Sequence, residues 1–412
     1  MTSLRSAAYG VVNRVVPHLP ESLGRRIQPS RFPWRSAEIA IAAPPQTPVR
    51  LLVGPVNSAG QGYAWARAAE RGLVGVGAVD LMMTTEGSER FGYPRDQSVP
   101  RAAYLTSKRW QRRQRAALAK RYTHVLAESG LGPFGQQPDV PTADALLRLQ
   151  ADGPKVALLF HGSDIRVPSE HALIEPASPF IDARYPGTDG LESNTLRNRA
   201  LIAETGLPVF VSTPDLLRFA PGATWLPVVV DVEKWAAAGS TPPLGRERPV
   251  VVHAPSNAGL KGSELVAETM GRLHDEGVVE YREVRGVPSS EMPRVYGEAD
   301  VVLDQFSLGI YGVATVEALA AGRLVLSHVR EETRGHVAEA AGVELPVVET
   351  SAAELEARLR EIAAAPERYR AIAARGPAFA REVHDGRRSA AALAGFLGAE
   401  PRTPAAAQEA RR

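Results

Sequence analysis

From Val49 onward the sequence alternates short, continuous apolar runs with longer mixed segments, and this pattern limits the fold more than any other feature. The runs are Val49–Gly54, Leu73–Met83, His124–Glu128, Val156–His161, Val209–Thr213 and Thr224–Val230. Helix-like stretches lie between them, among them Tyr63–Arg71, Lys108–Tyr122 and Asp144–Ala151. Strands that are apolar throughout, rather than at every second residue, have both faces covered. Strands alternating with helices therefore predict a parallel sheet flanked by helices. The alternation restarts at Pro249–Ala254 and continues through Val279–Val284, Ala299–Asp304, Arg323–His328 and Glu344–Val348. Helices are expected between these runs at Ser263–Glu276, Ser290–Glu298, Val313–Ala321 and Glu331–Ala341, then at Ala352–Ala364 and Pro366–Ala374.

With 412 residues and about 100–200 residues per domain, two successive units predict an α/β protein. Its two doubly wound, Rossmann-like parallel-sheet domains should face a cleft. The expected divisions are an N-terminal arm 1–48 with a short helix at Leu4–Val16, a first domain 49–230, and a linker 231–248 marked by Gly239 and Pro242–Pro243. A second domain 249–375, closing helices 376–398 and a flexible tail 399–412 follow.

The chain has no cysteine, which excludes disulfides, thiolate nucleophiles, cysteine-ligated zinc and iron–sulfur clusters. No stretch approaches the roughly 18–20 apolar residues that span a bilayer, and the N-terminus lacks a signal-peptide pattern. A cytoplasmic protein is expected, peripheral at the inner face of the membrane. The net charge of +2 is a cancellation: residues 1–230 carry +7 and residues 231–412 carry −5. Much of the basic excess lies in Lys108–Arg121, which holds seven basic residues and no acid. Its apolar residues fall on one stripe, so it reads either as a solvated surface helix or as a contact for an anionic membrane surface or an acceptor's phosphate. No helix-turn-helix or RNA-binding aromatic motif is present, and no nucleic-acid partner is expected.

The most informative segment is Asp300–Val329, where an apolar strand ends at Asp304 and a loop with Gly309 and Gly312 leads into a helix at Val313. Ligands of parallel α/β sheets sit beyond the carboxyl ends of strands. Glycines allow close backbone approach, and a helix N-terminus presents free N–H groups to a phosphate or diphosphate. Glu317, one turn into the helix, is placed to accept hydrogen bonds from vicinal hydroxyls such as those of a ribose. In the first unit, Gly54, Gly60 and Gly62 follow a strand, but Trp65 stands where a dinucleotide fingerprint needs glycine, so an NAD site is not expected. The cluster His161-Gly-Ser-Asp164-Ile-Arg166 ends another strand, where function is expected in this architecture.

The order Gly309-x-x-Gly312 followed by V-x-x-V-E-A-L-A-A-G-R-L-V resembles the donor-binding segment of GT-B glycosyltransferases, especially the GT4 family (glycosyl transferases group 1). The resemblance implies the GT-B fold and transfer of a sugar from a nucleoside-diphosphate sugar to a glycan, lipid-linked or small-molecule acceptor. It implies a retaining, metal-independent reaction with no cofactor, and no Asp-x-Asp motif is present. By the same resemblance Glu317 contacts the ribose, Lys261 of the Lys261-Gly262 pair grips the diphosphate, and His161 of the H-G-x-D segment faces the donor sugar. The candidate catalytic residues are therefore His161, Lys261 and Glu317. The candidate donor-binding set is Gly60, Gly62, Asn257, Lys261, Gly262, Gly309, Tyr311, Gly312, Val313 and Glu317. Two departures stand out: Gly309 occupies the place of a family glutamate, and no arginine precedes Lys261 in its loop. They leave open a nucleotide-sugar-binding protein without turnover, or another GT-B enzyme such as a sugar-nucleotide epimerase.

Overall fold

The computed structural model describes residues 21–27, 29, 35, 37–136, 140–239 and 241–402. Seven strands form the first sheet: β1 Val49–Gly54, β2 Val76–Thr84, β3 Gln97–Pro100, β4 His124–Glu128, β5 Lys155–Phe160, β6 Val209–Val211 and β7 Thr224–Trp225. Their spatial order is β3-β2-β1-β4-β5-β6-β7, and every pairing is parallel. Five strands form the second sheet: β8 Val250–His253, β9 Glu280–Glu283, β10 Val301–Leu303, β11 Leu324–Ser327 and β12 Val348–Glu349. Their order is β12-β11-β10-β8-β9, again all parallel. Both sheets are doubly wound, as the continuous apolar runs require: β4 is buried at every position, and so are β8, β10 and β11.

The helices that matter to the site are α1 Gln61–Gly72, α2 Lys108–Arg121, α3 Pro168–Ile174, α4 Ser263–Asp275, α5 Val313–Ala320, α6 Gly376–His384 and α7 Arg387–Leu397. Both α1 and α5 start directly after loops at the carboxyl ends of β1 and β10, so their N-termini point into the space between the sheets. The chain ends by crossing back. Phe396 of α7 meets His124 and Phe210 of the first sheet at ring separations of 5.1 and 6.0 Å. Ser389 donates to the Pro227 carbonyl at 2.8 Å. One apolar cluster runs from Leu51, Trp65 and Leu126 through Val229 to Val316, Val325 and Leu393. The cores of the two units are thereby continuous.

Several expectations need correction. Residues 231–248 are not plain linker: Val232–Ala238 is helical, with the Asp231 side chain accepting from the Lys234 amide at 3.1 Å. The end of the arm is packed, since the Ala42 amide donates to Gln114 at 3.2 Å and Trp110 Nε1 to the Ala40 carbonyl at 3.3 Å. The helix expected at 4–16 lies outside the described residues. Residues 399–402 are docked rather than flexible: the Arg402 amide donates to the Gly72 carbonyl at 2.8 Å and Leu73 bridges to Pro401. Residues 403–412 lie outside the description. Strand β3 and the long helix Thr188–Thr205 carry no readable pattern. The strand has one buried residue, and the helix buries Thr195, Asn198 and Leu201, two of them polar.

Candidate functional site

The carboxyl ends of the two sheets enclose a cavity of about 250 Å³ lined by His161 from the first unit and by Lys261, Gly312, Val313 and Glu317 from the second. Five candidates from three separate stretches of the sequence thus line one cavity. A second cavity of about 730 Å³ adjoins it and shares Ala59, Gln61, Tyr93, Ser289 and Glu317; Gly60 lines this one.

Asp304, immediately after β10, organises the second unit's side. Its carboxylate is buried and accepts from Lys261 Nζ at 2.5 Å and from Thr315 Oγ1 at 2.6 Å. Burial pushes the carboxyl up, but the Lys261 ammonium and these two hydrogen bonds outweigh it and hold Asp304 below the ordinary carboxylate range. Lys261 ends a short turn, Ala258–Lys261, that Asn257 caps by accepting from the Leu260 amide at 3.2 Å. Gly262 follows with φ of 70°, where a Cβ would press on Ser307. The ammonium is thereby fixed on Asp304, whose second oxygen meets the Gly312 amide at 3.4 Å and Thr315 at the N-terminus of α5.

Among the described residues Glu317 forms no ion pair. Burial raises its carboxyl to about 8, with Lys261 opposing and Asp304 reinforcing the shift. Tyr93, which lines both cavities, is pushed up to about 12 by burial and by the Glu317 charge.

On the facing side, Glu128 ends β4 fully buried. One oxygen accepts from the Val56 and Asn57 amides at 2.6 and 2.9 Å. The other stands 3.0 Å from His161 Nε2, out of line for a regular hydrogen bond. Burial disfavours the charged ring, but Glu128 and Asp164 together outweigh it, so the imidazole lies above its ordinary range. The ring stacks on Trp65 at 5.6 Å. Trp65 itself is fully buried and donates to the Pro227 carbonyl at 2.8 Å. The residue that speaks against a dinucleotide fingerprint is therefore the platform under His161. Asp164 serves the turn: it accepts from the His161 and Gly162 amides and from Ser129 Oγ at 2.9, 2.8 and 2.6 Å.

The remaining candidates stand behind this wall. Gly62 packs against the Asp80 carboxylate, where a Cβ would collide. Tyr311 is buried, with its hydroxyl 3.4 Å from His384 Nε2. Asn257 reaches the Tyr185 hydroxyl at 3.2 Å. Gly309 has φ of 64°, and a Cβ there would lie 2.5 Å from Arg330 Cγ and 2.7 Å from Glu175 Oε2. Glycine at this position, where the resemblance has a glutamate, suits the left-handed backbone and the close approach of Arg330 and Glu175. The sequence pattern does not single out Asp304, Glu128, Thr315 or Tyr93, nor Phe91, which lines the smaller cavity. Asp304 and Glu128 do share one signal, a lone carboxylate closing an apolar strand.

Two facing, doubly wound parallel sheets bridged by returning C-terminal helices, with a polar cavity between their carboxyl ends, define the GT-B architecture of glycosyltransferases. Residues 249–395 match the model of a family described as glycosyl transferase-like. Solved structures share the fold. A sucrose-phosphate synthase from Thermosynechococcus elongatus is 15% identical, with 84% of this chain and 98% of that one covered at a TM-score of 0.53. Anabaena HepE in complex with UDP-glucose is 11% identical, with 84% and 99% covered at 0.51. An alpha-glucosyltransferase in complex with UDP and a 13-mer DNA is 9% identical, with 84% and 98% covered at 0.51. No protein of curated function matches the sequence.

Proposed function

We propose that the protein is a GT4-like glycosyltransferase that moves a hexosyl group from a nucleoside-diphosphate sugar to a glycan or lipid-linked acceptor, with retention and without a metal. The observation that carries this reading is the convergence of Lys261, the N-terminus of α5 and Glu317 on one cavity facing His161. The departing diphosphate needs positive charge in a site of low dielectric. The Lys261 ammonium and the amides at 313 and 314 supply it without a metal ion, and such preorganised electrostatics is commonly the largest catalytic contribution. Glu317 accepts the ribose hydroxyls and His161 meets the donor sugar. Gly60 and Gly312–Val313 let backbone approach the donor, whereas Asn257, Gly262, Gly309 and Tyr311 hold the shape of the loops around it. The complexes of HepE with UDP-glucose and of the alpha-glucosyltransferase with UDP, on the same fold, support a uridine nucleotide as the first donor to try.

The test is transfer or hydrolysis with a panel of UDP-, GDP- and TDP-sugars, using Glu317→Gln and the paired change Lys261→Met with Asp304→Asn. Turnover with one donor, abolished in both variants of unchanged fold, is expected. Tight nucleotide-sugar binding with no turnover on any acceptor would make it a binding protein instead.

For the acceptor side we infer an anionic membrane surface meeting α2. Lys108, Arg109, Arg112, Lys120 and Arg121 are exposed, while Trp110, Gln111, Gln114 and Leu118 are buried. Among the described residues no helix is long and apolar enough to cross a membrane. Co-sedimentation with anionic vesicles at low salt, lost at high salt and in Arg109→Glu/Arg112→Glu, is the expected result; protein left in the supernatant at low salt refutes the docking.

A further inference from the structure

We propose that Glu175 is a positioning residue for the 305–312 loop, delivered to it by the opposite unit across the cleft. The inference rests on the proposed donor site, since this loop sets the N-terminus of α5. Glu175 follows α3 in the first unit and is 2% exposed. Its carboxylate lies in the space that a side chain at 309 would fill, with Oε2 2.7 Å from the ideal Cβ position. The same oxygen meets His328 Nε2 at 2.9 Å, just past the end of β11, and His328 Nδ1 meets Glu349 at 2.6 Å at the end of β12. One carboxylate from the first unit is therefore packed against the loop after β10 and tied through His328, whose amide donates to the Gln305 carbonyl at 2.7 Å, to the ends of β11 and β12.

Two further bonds cross the same seam, and a third ties Arg330 to the loop within the second unit. His171 of α3 contacts the Leu308 carbonyl at 3.2 Å, and Arg330 donates to the Ile174 carbonyl at 3.1 Å. The Arg330 amide donates to the Gly309 carbonyl at 3.0 Å. Phe180 of the first unit packs with Leu308 and Ile310 of the loop, all three buried, and keeps water from the seam. An exposed ion pair contributes little, but Glu175 is buried, so its pairing with His328 is worth more; without it His328 keeps only Glu349. The arrangement has a functional consequence. The shape of the loop depends in part on residues of the opposite unit, and through it so does the presentation of the α5 amides to a diphosphate.

The test is hydrogen exchange of the full chain, comparing wild type with Glu175→Gln, Glu175→Ala and Glu175→Asp, alongside donor kinetics. Amides of the 305–312 segment should exchange faster by at least about tenfold in the Gln and Ala variants, while β1 and β8 stay protected. The Asp variant should recover part of the protection, and the donor KM should rise more than kcat falls. Unchanged exchange in the loop overturns the proposal, and so does a rise shared equally with the sheets, which marks general destabilisation. Faster loop exchange in an enzyme that turns over no nucleotide sugar supports the positioning role and counts against glycosyl transfer.

Discussion

At Asp304 and Lys261 the charges of the site are also part of its stability. Lys261→Ala strands a buried carboxylate and is expected to cost about 3–5 kcal/mol. Adding Asp304→Asn removes the stranded charge, so urea titration should find the double variant more stable than Lys261→Ala alone. Glu317 makes a separate prediction. Its carboxyl, raised to about 8 by burial, is mostly protonated at pH 7, whereas two hydroxyl donors favour the ionised form. Nucleoside-diphosphate binding at pH 7 should release about one proton, read by calorimetry in buffers of different ionisation enthalpy. The release should vanish in Glu317→Gln. A wild-type signal with no buffer dependence would contradict the ribose role.

Among the elements, the junction of β2 with α1 stores an avoidable cost. Asp80 is fully buried with neither carboxylate oxygen hydrogen-bonded, pressed against Gly62 at the start of α1. Burial, then the Glu128 and Asp96 charges, push its pKa well above the ordinary value despite Arg67 and Arg95. A carboxyl raised in the folded state contributes stability below its unfolded pKa of 3.8 and loses it as the pH rises. Asp80→Asn should therefore raise Tm, and by more at pH 8 than at pH 4; equal shifts at both would refute the assignment. The element pattern itself was readable because apolar runs of this kind fit only a sheet covered on both faces. What escaped was the short edge strand β3 and the helix Thr188–Thr205, whose buried residues are too few or too polar to leave a period. The helix Val232–Ala238 was hidden among Pro and Gly punctuation.

For the molecule as a whole, α7 is the strap. Leu393 is fully buried in the cluster that joins both cores. Leu393→Ala should cost about 2–5 kcal/mol. Calorimetry should show the wild-type chain unfolding in one transition, whereas in Leu393→Ala the first unit should melt separately, below the second. A wild-type scan already split in two would contradict the continuous core.

The apolar runs and the Gly309-to-Glu317 spacing are local, and local patterns were enough for two parallel α/β units and a glycine loop that opens a helix in the second. Each depends on a short stretch of chain: periodicity decides which faces are covered, and a glycine loop before a helix decides where amides are free. The partners were not local. Asp304 meets Lys261, Glu128 meets His161, and Glu175 meets His328 across 153 positions of chain. No spacing rule announces such pairs, because the strand order brings their elements together and burial then makes each charge depend on its neighbour. The same holds for Gly309. In the sequence it is a missing glutamate, and in the folded chain it is the gap that another unit's carboxylate occupies.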